Sequence, residues 1–487
     1  MKLKCEILEE SNLFFGGNNS TIDPKVGLNF YGPYGSFGPE SGKSITIKAG
    51  VISTFESLNL LKIWLNTLKH RITGRIIEDS DVRSIDFPGI SSESPLNFEI
   101  HLVESAIENI SKEDLEKALS SESRDERILK IIDIYKEKFQ DMATNHPSPD
   151  IILLPLDEQV IEKCKNPRDI QDKIVFRIRT FDKKNIQPDE IPLFDFHNYL
   201  KVLGIKHHLV SQVIRPSTLI FSHKNQDEAT VAWNVAVALY YKGTGIPWKI
   251  AEIDEETCYV GISFYQEISK NEQNMNTSMA HVYLKTGESQ IVQGNSFYWD
   301  SQKGRSPHLS EENSQQIIER IISVYKRQRG KNPKRLVIHK SSPFSDEEIS
   351  GFKSSSANIE VSDFIHIDFG SSIRAFINRY SYPPLRGTIF GINTTWFLYT
   401  VGYVPSLGTY PGATIPKPLK INFAKSDSHY KTIGQDIMAL TKMDWNTADY
   451  CRREPVTLSV SRKVGDILSE LRGTSSETPP ENYKFYM

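Results

Sequence analysis

Cysteine is scarce in this sequence and long apolar runs are missing. The 487 residues include four cysteines, Cys5, Cys164, Cys258 and Cys451, far apart and without a CxxC pair. That spacing argues against a disulfide framework and against a zinc site. No stretch reaches the ~18 to 20 apolar residues that a spanning helix needs. The start, MKLKCEILEESNLFF, meets charge before any apolar run of signal-peptide length. The sequence therefore predicts a soluble protein of the reducing cytoplasm with no membrane partner. It also lacks a strong excess of either charge: the formal net charge is −3, so any nucleic-acid site must be a local concentration of Lys, Arg and His. No internal repeat or low-complexity block is present. At this length one hydrophobic core is too small a unit, and two or more domains are expected.

Local pattern divides the chain in three. Residues 1–43 are rich in Gly, Pro, Asn and Ser and read as an irregular lead-in. From Ser44 a strand-like run, SITIKAGVIS, precedes FESLNLLKIWLNTL, whose apolar residues recur at helical spacing. LNFEIHLV and DIILLPL read as further strands, and Ser111 to Asp114 form a capping box that opens a charged helix. This alternation predicts an α/β layer with a parallel sheet over residues 44–227. Residues 228–487 open with a helix over 228–241 closed by KGTGIP. They continue with TCYVGISFYQ, a hairpin through Thr286-Gly287, KRLVIHK, ANIEVSDFIHI and GTIFGINTTWFLYTVG as strands, and with helices at 310–330 and near 455–472. A second α/β domain starting near residue 228 is the expectation.

His197 and Lys201 are four apart in FDFHNYLKVLGI, so both point the same way from one helix; Gln212 follows before VIRP. Alone, such a pair describes an ordinary solvated helix face. Lys242 changes the reading, because it sits where a helix ends in Lys-Gly-Thr-Gly and its ammonium can meet a phosphate. The Gly-Thr-Gly at 243–245 lacks the spacing of a phosphate loop and reads as a helix stop. His207-His208 are neighbours on a helix, diverge by more than a quarter turn, and read as exposed rather than as a metal pair.

The ensemble HNYLK, then SQVI, then YYKGTGIPW resembles the Mid domain of Argonaute proteins. IDPKVGLNFYGPYG and DFPGI (86–90) are similar to the opening of short prokaryotic Argonautes, which consist of Mid and PIWI domains. LRGTIFGINTTWFLYTVG, GTYPGATIPKPLKI and LTKMDWNTADYCRREPVTLS look like a PIWI domain. The resemblance implies a Rossmann-like Mid domain (44–227) followed by an RNase H-like PIWI domain (228–487). It nominates His197, Lys201, Gln212 and Lys242 as ligands of a guide 5′-phosphate, with a Mg2+ ion bridging that phosphate to the terminal carboxylate of Met487. In cleaving members two aspartates stand where this chain has Ser263 and Ser341, and near PVTLSVSRK no Asp or His fills the late ligand position. A hydroxyl cannot supply the charge that a carboxylate gives a divalent ion, so metal-assisted cleavage should be lost.

The resemblance further implies a guide RNA, a complementary single-stranded DNA target, and a separate APAZ-containing effector protein of TIR, Sir2 or nuclease type. Chain and effector would form a heterodimer, with higher oligomers on target binding, in abortive defence against plasmids or phage. Phe14, Phe15, Tyr31 and Tyr34 would lie at that contact or cover the chain's own core. Two other readings compete: an active RNase H-like nuclease with ligands displaced to Asp300, Asp346, Glu347 or Asp363, and a nucleotide-binding or scaffold α/β protein.

Overall fold

The computed structural model describes residues 4–35, 44–75, 84–146, 148–164, 195–222, 226–243, 245–251, 256–265, 274–283, 289–299, 306–375, 383–408, 410, 415–471 and 479–487. Its first residues correct the expectation of an irregular lead-in. Strand β1 (Lys4–Ile7) runs antiparallel to a strand far along the chain, Ile7 opposite Thr388 and Lys4 opposite Gly391. Two short strands, β2 (Leu13–Phe14) and β3 (Ser20–Thr21), then lead into helix α1 (Pro24–Tyr31). Asp23 caps α1 by accepting from the amides of Lys25 (2.8 Å) and Val26 (3.1 Å), and Pro24 stands at the first helical position. Asp-Pro was the signal for this helix, hidden by the surrounding turn-formers. Of the four aromatics only Phe15, fully buried beside Trp248, belongs to the chain's own core; Phe14 and Tyr34 are half-buried, Tyr34 under the Lys249 ammonium, and Tyr31 is exposed. Residues 36–43 fall outside the described part.

The next unit is a sheet of four parallel strands. β4 (Ile45–Ser53) is followed by α2 (Phe55–Leu68), β5 (Phe98–Asn109), α3 (Lys112–Leu119), α4 (Arg124–Asn145), β6 (Ile151–Pro155) and α5 (Glu158–Lys163). Then come α6 (Phe196–Lys206), β7 (Ser211–Ile214) and α7 (Pro216–Leu219). The strand order is β5-β4-β6-β7. The unbroken apolar run in β6 follows from burial on both faces: Ile151 and Leu153 join one core, Ile152 and Leu154 the other. Ser111 caps α3 as its spacing predicts, accepting from the amide of Asp114.

Helix α8 (Glu228–Gly243) belongs by its packing to this first sheet. Tyr240 packs on Phe98 of β5, and a methyl at Gly243 would collide with Ile47 of β4 at 2.4 Å. The chain passes to the second sheet after α8, through β8 (Lys249–Ile250), which joins β2 and β3.

The second sheet has ten strands. β9 (Thr257–Tyr265) pairs with β10 (Asn274–Tyr283), which pairs with β11 (Ser289–Gln293) and β12 (Ser296–Tyr298). The β10–β11 register confirms the hairpin, Tyr283 opposite Ser289; its turn at Thr286-Gly287 lies outside the described residues. After α9 (Glu311–Arg329) come β13 (Arg335–Lys340), α10 (Asp346–Ser355), β14 (Val361–Asp368), β15 (Thr388–Ile392), β16 (Thr395–Leu398) and β17 (Leu419–Ser426). α11 (Tyr430–Leu440) and α12 (Val456–Leu468) close the unit. The order is β1-β15-β16-β17-β14-β13-β9-β10-β11, with β12 also on β10 and β13 parallel to both its neighbours. Alternate residues of β9 again face two cores: Cys258, Val260 and Ile262 meet the layer of α9, whereas Tyr259 and Tyr265 meet α11 and α12. Among the described residues no helix is long and apolar enough to cross a membrane, and all four cysteines are free thiols.

Candidate nucleic-acid interface

Three of the four nominated phosphate ligands converge at one end of the parallel sheet. Lys201 projects from α6, Gln212 from β7 and Lys242 from the last turn of α8. The two amines are 2% and 1% exposed, so each needs a partner within the protein. Both donate to the same acceptor, the carbonyl oxygen of Ser211, and Lys242 donates as well to Gln212 Oε1 at 2.6 Å. Gln212 Nε2 donates to the carbonyl oxygen of Val213. Two ammonium groups on one neutral oxygen form an electrostatically unfavourable set. Burial pushes Lys201 down to about 7, aided by Lys463; burial, Lys201 and Lys463 hold Lys242 well below the ordinary lysine range.

His197 lies one turn before Lys201. Its side chain is exposed, with the cations Lys201, Lys463, Arg215 and Lys242 near enough to act on it. Desolvation first, then those cations, drive its pKa down, so it is neutral at pH 7 and offers one N–H donor. His208 is exposed and His207 stacks on Phe139, as befits two side chains that diverge. α8 ends at Gly243, as a helix stop requires.

Lys463 was not anticipated. It comes from α12, more than two hundred residues beyond Lys242, and its charge acts on His197, Lys201 and Lys242 alike. Its own pKa is lowered by burial, partly restored by Asp444. One signal was present: Val456, Val460 and Ile467 belong to the buried stripe of α12, and a lysine three after Val460 and four before Ile467 falls beside it, half-buried. The terminal turn Tyr483–Phe485 packs against α6, α8 and β11, and Met487 is buried within it.

A second locus lies on the larger sheet. Ser263 near the end of β9 and Ser341 just beyond β13 stand at the same ends of parallel neighbours, because the register pairs Ile262 with Lys340. Ser263 is buried with no hydrogen-bond partner for its hydroxyl; Ser341 is exposed. Helix α12 covers this face so closely that a methyl at Gly261 would strike the carbonyl of Thr457 at 1.9 Å. From the PVTLSVSRK segment the helix brings Thr457, whose hydroxyl lies 2.9 Å from Nδ1 of the fully buried His339. Burial and then Arg335 push His339 down to about 3, so it is neutral.

Among the described residues no three His, Cys, Asp or Glu side chains gather around a common point. Asp346 and Glu347 are exposed in the first turn of α10, and Asp300 falls outside the described part. Asp363 is fully buried and its oxygens are already engaged by Arg335 Nε (2.9 Å), Ser428 Oγ (2.7 Å), Ser426 Oγ and the amides of Asp427 and Ser428.

A cleft of about 1380 Å³ runs past the loop 444–454. Lys25, Arg374, Lys417, Arg452 and Arg453 line it together with Asp444, Asp449 and Glu454. With Asp23 as a fourth acid, the five cations of the cleft are nearly balanced in charge.

Compared by sequence, the chain matches no protein-family model and no curated protein. Compared by fold, it is similar to solved structures of Argonaute and Piwi proteins along almost its entire length. Clostridium butyricum Argonaute, bound to a guide DNA and a 19-mer target DNA, gives a TM-score of 0.65 at 18% identity, covering 96% of this chain and 53% of that one. Drosophila Piwi gives 0.60 at 13% identity, with 99% and 56% covered. Aquifex aeolicus Argonaute gives 0.58 at 16% identity, with 100% and 56% covered. This chain thus has the α/β fold found in those proteins and spans little more than half their length.

Proposed function

We propose that this chain is a short Argonaute that holds a nucleic-acid guide by its 5′-phosphate and recognises a complementary strand without cutting it. The observation that carries this reading is the convergence of the buried amines of Lys201 and Lys242 on Ser211 and Gln212, with the half-buried Lys463 near enough to lower both. A phosphate dianion is the ligand that would relieve it, since charge-assisted bonds to its oxygens replace mutual repulsion between the amines. His197 adds a neutral donor at the rim. The guide would be RNA and the target single-stranded DNA, as the Mid–PIWI resemblance implies. Base pairing would read sequence while contacts to sugar and phosphate set register.

The hydroxyls of Ser263, Ser341 and Thr457 leave the expected metal position without carboxylates, which supports binding rather than cleavage as the chemical output. The bridging Mg2+ expected beside Met487 would share the pocket with three amines, which already bring the positive charge such an ion supplies. The side chains present therefore do not fit a resident metal, and binding is derived without one. With no cutting step, the bound state must be read by something else. An APAZ-containing effector of TIR, Sir2 or nuclease type, in heterodimer with this chain, would respond through its different affinity for the guide-only and paired forms. That role is immune: abortive defence against plasmids or phage in the cytoplasm.

The test is direct. Purified protein should bind a 5′-phosphorylated guide more tightly than its 5′-hydroxyl twin, capture complementary DNA, and leave it intact in Mg2+ or Mn2+. Equal affinity for the two guides would overturn the pocket; a cut opposite the guide would overturn the inactive assignment. Co-expression with the neighbouring reading frame, followed by assays of NAD loss and nucleic-acid degradation on adding guide and target, tests the effector.

A further inference from the structure

The loop 444–448 touches α8, the C-terminal turn and α12. Thr447 Oγ1 and the Ala448 amide both donate to Asn234 Oδ1 of α8, at 3.0 and 2.9 Å. Between these ties and Asp444 stands Asn446. Its Nδ2 donates to Asp444 Oδ1 at 2.8 Å and to the Tyr483 hydroxyl at 3.2 Å, and its own amide also donates to Asp444 Oδ1. With both protons of the side-chain amide committed, Oδ1 must point the other way. There it accepts from Lys463 Nζ at 3.1 Å.

We infer that Asn446 is a positioning residue: it holds the Lys463 amine toward the guide 5′-phosphate and ties it to the C-terminal turn. This rests on the phosphate-pocket reading above. The residue type matters. A carbonyl oxygen fixes an ammonium without cancelling its charge, whereas a carboxylate at the same place would oppose an incoming phosphate. Asp444 is close enough to polarise the arrangement, but the neutral amide stands between it and the amine. Lysine on a flexible four-carbon stem needs such an anchor, because its rotamer freedom would otherwise be lost only on guide binding. Tyr483 is buried, so the orientation of Asn446 also depends on the C-terminal turn being docked. Guide capture and docking of the chain's end are thereby coupled through one side chain.

The full chain carrying Asn446→Leu is titrated with one guide sequence bearing either a 5′-phosphate or a 5′-hydroxyl. Wild type serves first: no preference for phosphate there would refute the pocket itself rather than this inference. Given a preference, Asn446→Leu should shrink it by roughly 10-fold, the loss of one oriented charge-assisted bond, with the hydroxyl guide unaffected. Lys463→Met should do the same, and the double variant should add nothing. An undiminished preference, equal weakening of both guides, or full additivity would each overturn the assignment. Tyr483→Phe keeps the buried ring and removes one of the two acceptors that orient the amide. It should reduce the preference in the same direction by a smaller factor, and a folded Tyr483→Phe protein with wild-type preference would also refute the inference.

Discussion

Helix α12 packs on α6 of the first unit and on β9, β10 and β13 of the second, and the two neighbourhoods carry opposite chemistry. Around α6, β7 and α8 the ends of the parallel strands are surrounded by buried amines that cannot all be charged in the empty pocket. Around β9 and β13 the strand ends carry hydroxyls, under the same helix, with a neutral His339 behind them. The carboxyl ends of strands in open α/β sheets are natural ligand sites; Ser263 and Ser341 stand at such ends, whereas Ser211 and Gln212 open β7. Topology alone therefore does not say which will be used; the difference lies in whether the side chains are costly to keep without a ligand. The first site keeps buried amines in that condition; the second leaves unpaired only neutral groups, the Ser263 hydroxyl and His339 Nε2, at a smaller cost.

Removing an amine should expose this contrast most strongly. Lys242→Ala or Lys201→Ala is expected to weaken binding of a phosphorylated guide by ~10- to 100-fold, from about 1.5–3 kcal/mol per charge-assisted bond, and to leave a hydroxyl guide unchanged. Lys201→Met should in addition raise the melting temperature of the guide-free protein, because it takes a poorly solvated amine out of the core; calorimetry checks this. At the other site the charge goes in. Ser263→Asp places a carboxylate beneath α12 without a partner and should cost about 1–3 kcal/mol, read as a lower denaturant midpoint with no cleavage gained. If that variant is as stable as wild type, the strand end is more open than the packing on Thr457 indicates.

A pH series sharpens the comparison further. In the empty pocket Lys201 ionises at about 7, facing His197, Lys242, Lys463 and Arg215, while a bound phosphate stabilises its charged form. Binding therefore takes up a proton above that pH. Affinity for a phosphorylated guide should fall as pH rises above about 7, by at most about tenfold per unit for each proton taken up. The same linkage makes this lysine's contribution to the stability of the guide-free protein grow between about 7 and its unfolded value, since the unfolded chain binds more protons there. A hydroxyl guide should show no comparable slope. The smallest expected effect is that of EDTA: with amines in place of oxygen ligands, guide affinity should be unchanged by chelation. A large loss on chelation, restored by Mg2+, would return the ion to the pocket beside Met487.

Much of this was legible in the chain. Period-2 and helical patterns located β4, α2, β6, α9, β13 and α12 because each is long enough to bury a complete face. His197, Lys201, Gln212 and Lys242 were nominated by the resemblance to a Mid domain; the i, i+4 spacing within α6 and a cation at a helix end agree with it, but alone they describe an ordinary helix face. Ser263 and Ser341 stood out only against the aspartates that the same resemblance implies. The strand at Lys4–Ile7 was not legible, since a four-residue edge strand acquires its identity from a partner almost four hundred residues away. Nor was the place of α8, whose apolar surface on nearly every side would suit either sheet until Ile47 and Phe98 meet it.

Sequence by itself determined the local elements and the chemistry available to the pocket, because propensity, capping and charge are properties of neighbouring residues. Tertiary structure alone decided that Lys463 joins Lys201 and Lys242, and that Asn446 and Tyr483 hold it there. These groups come from α12, a loop and the chain's end. Their effect on one another depends on distances of a few ångströms between segments that no local pattern relates, and electrostatic coupling of that kind exists only after the sheets have packed.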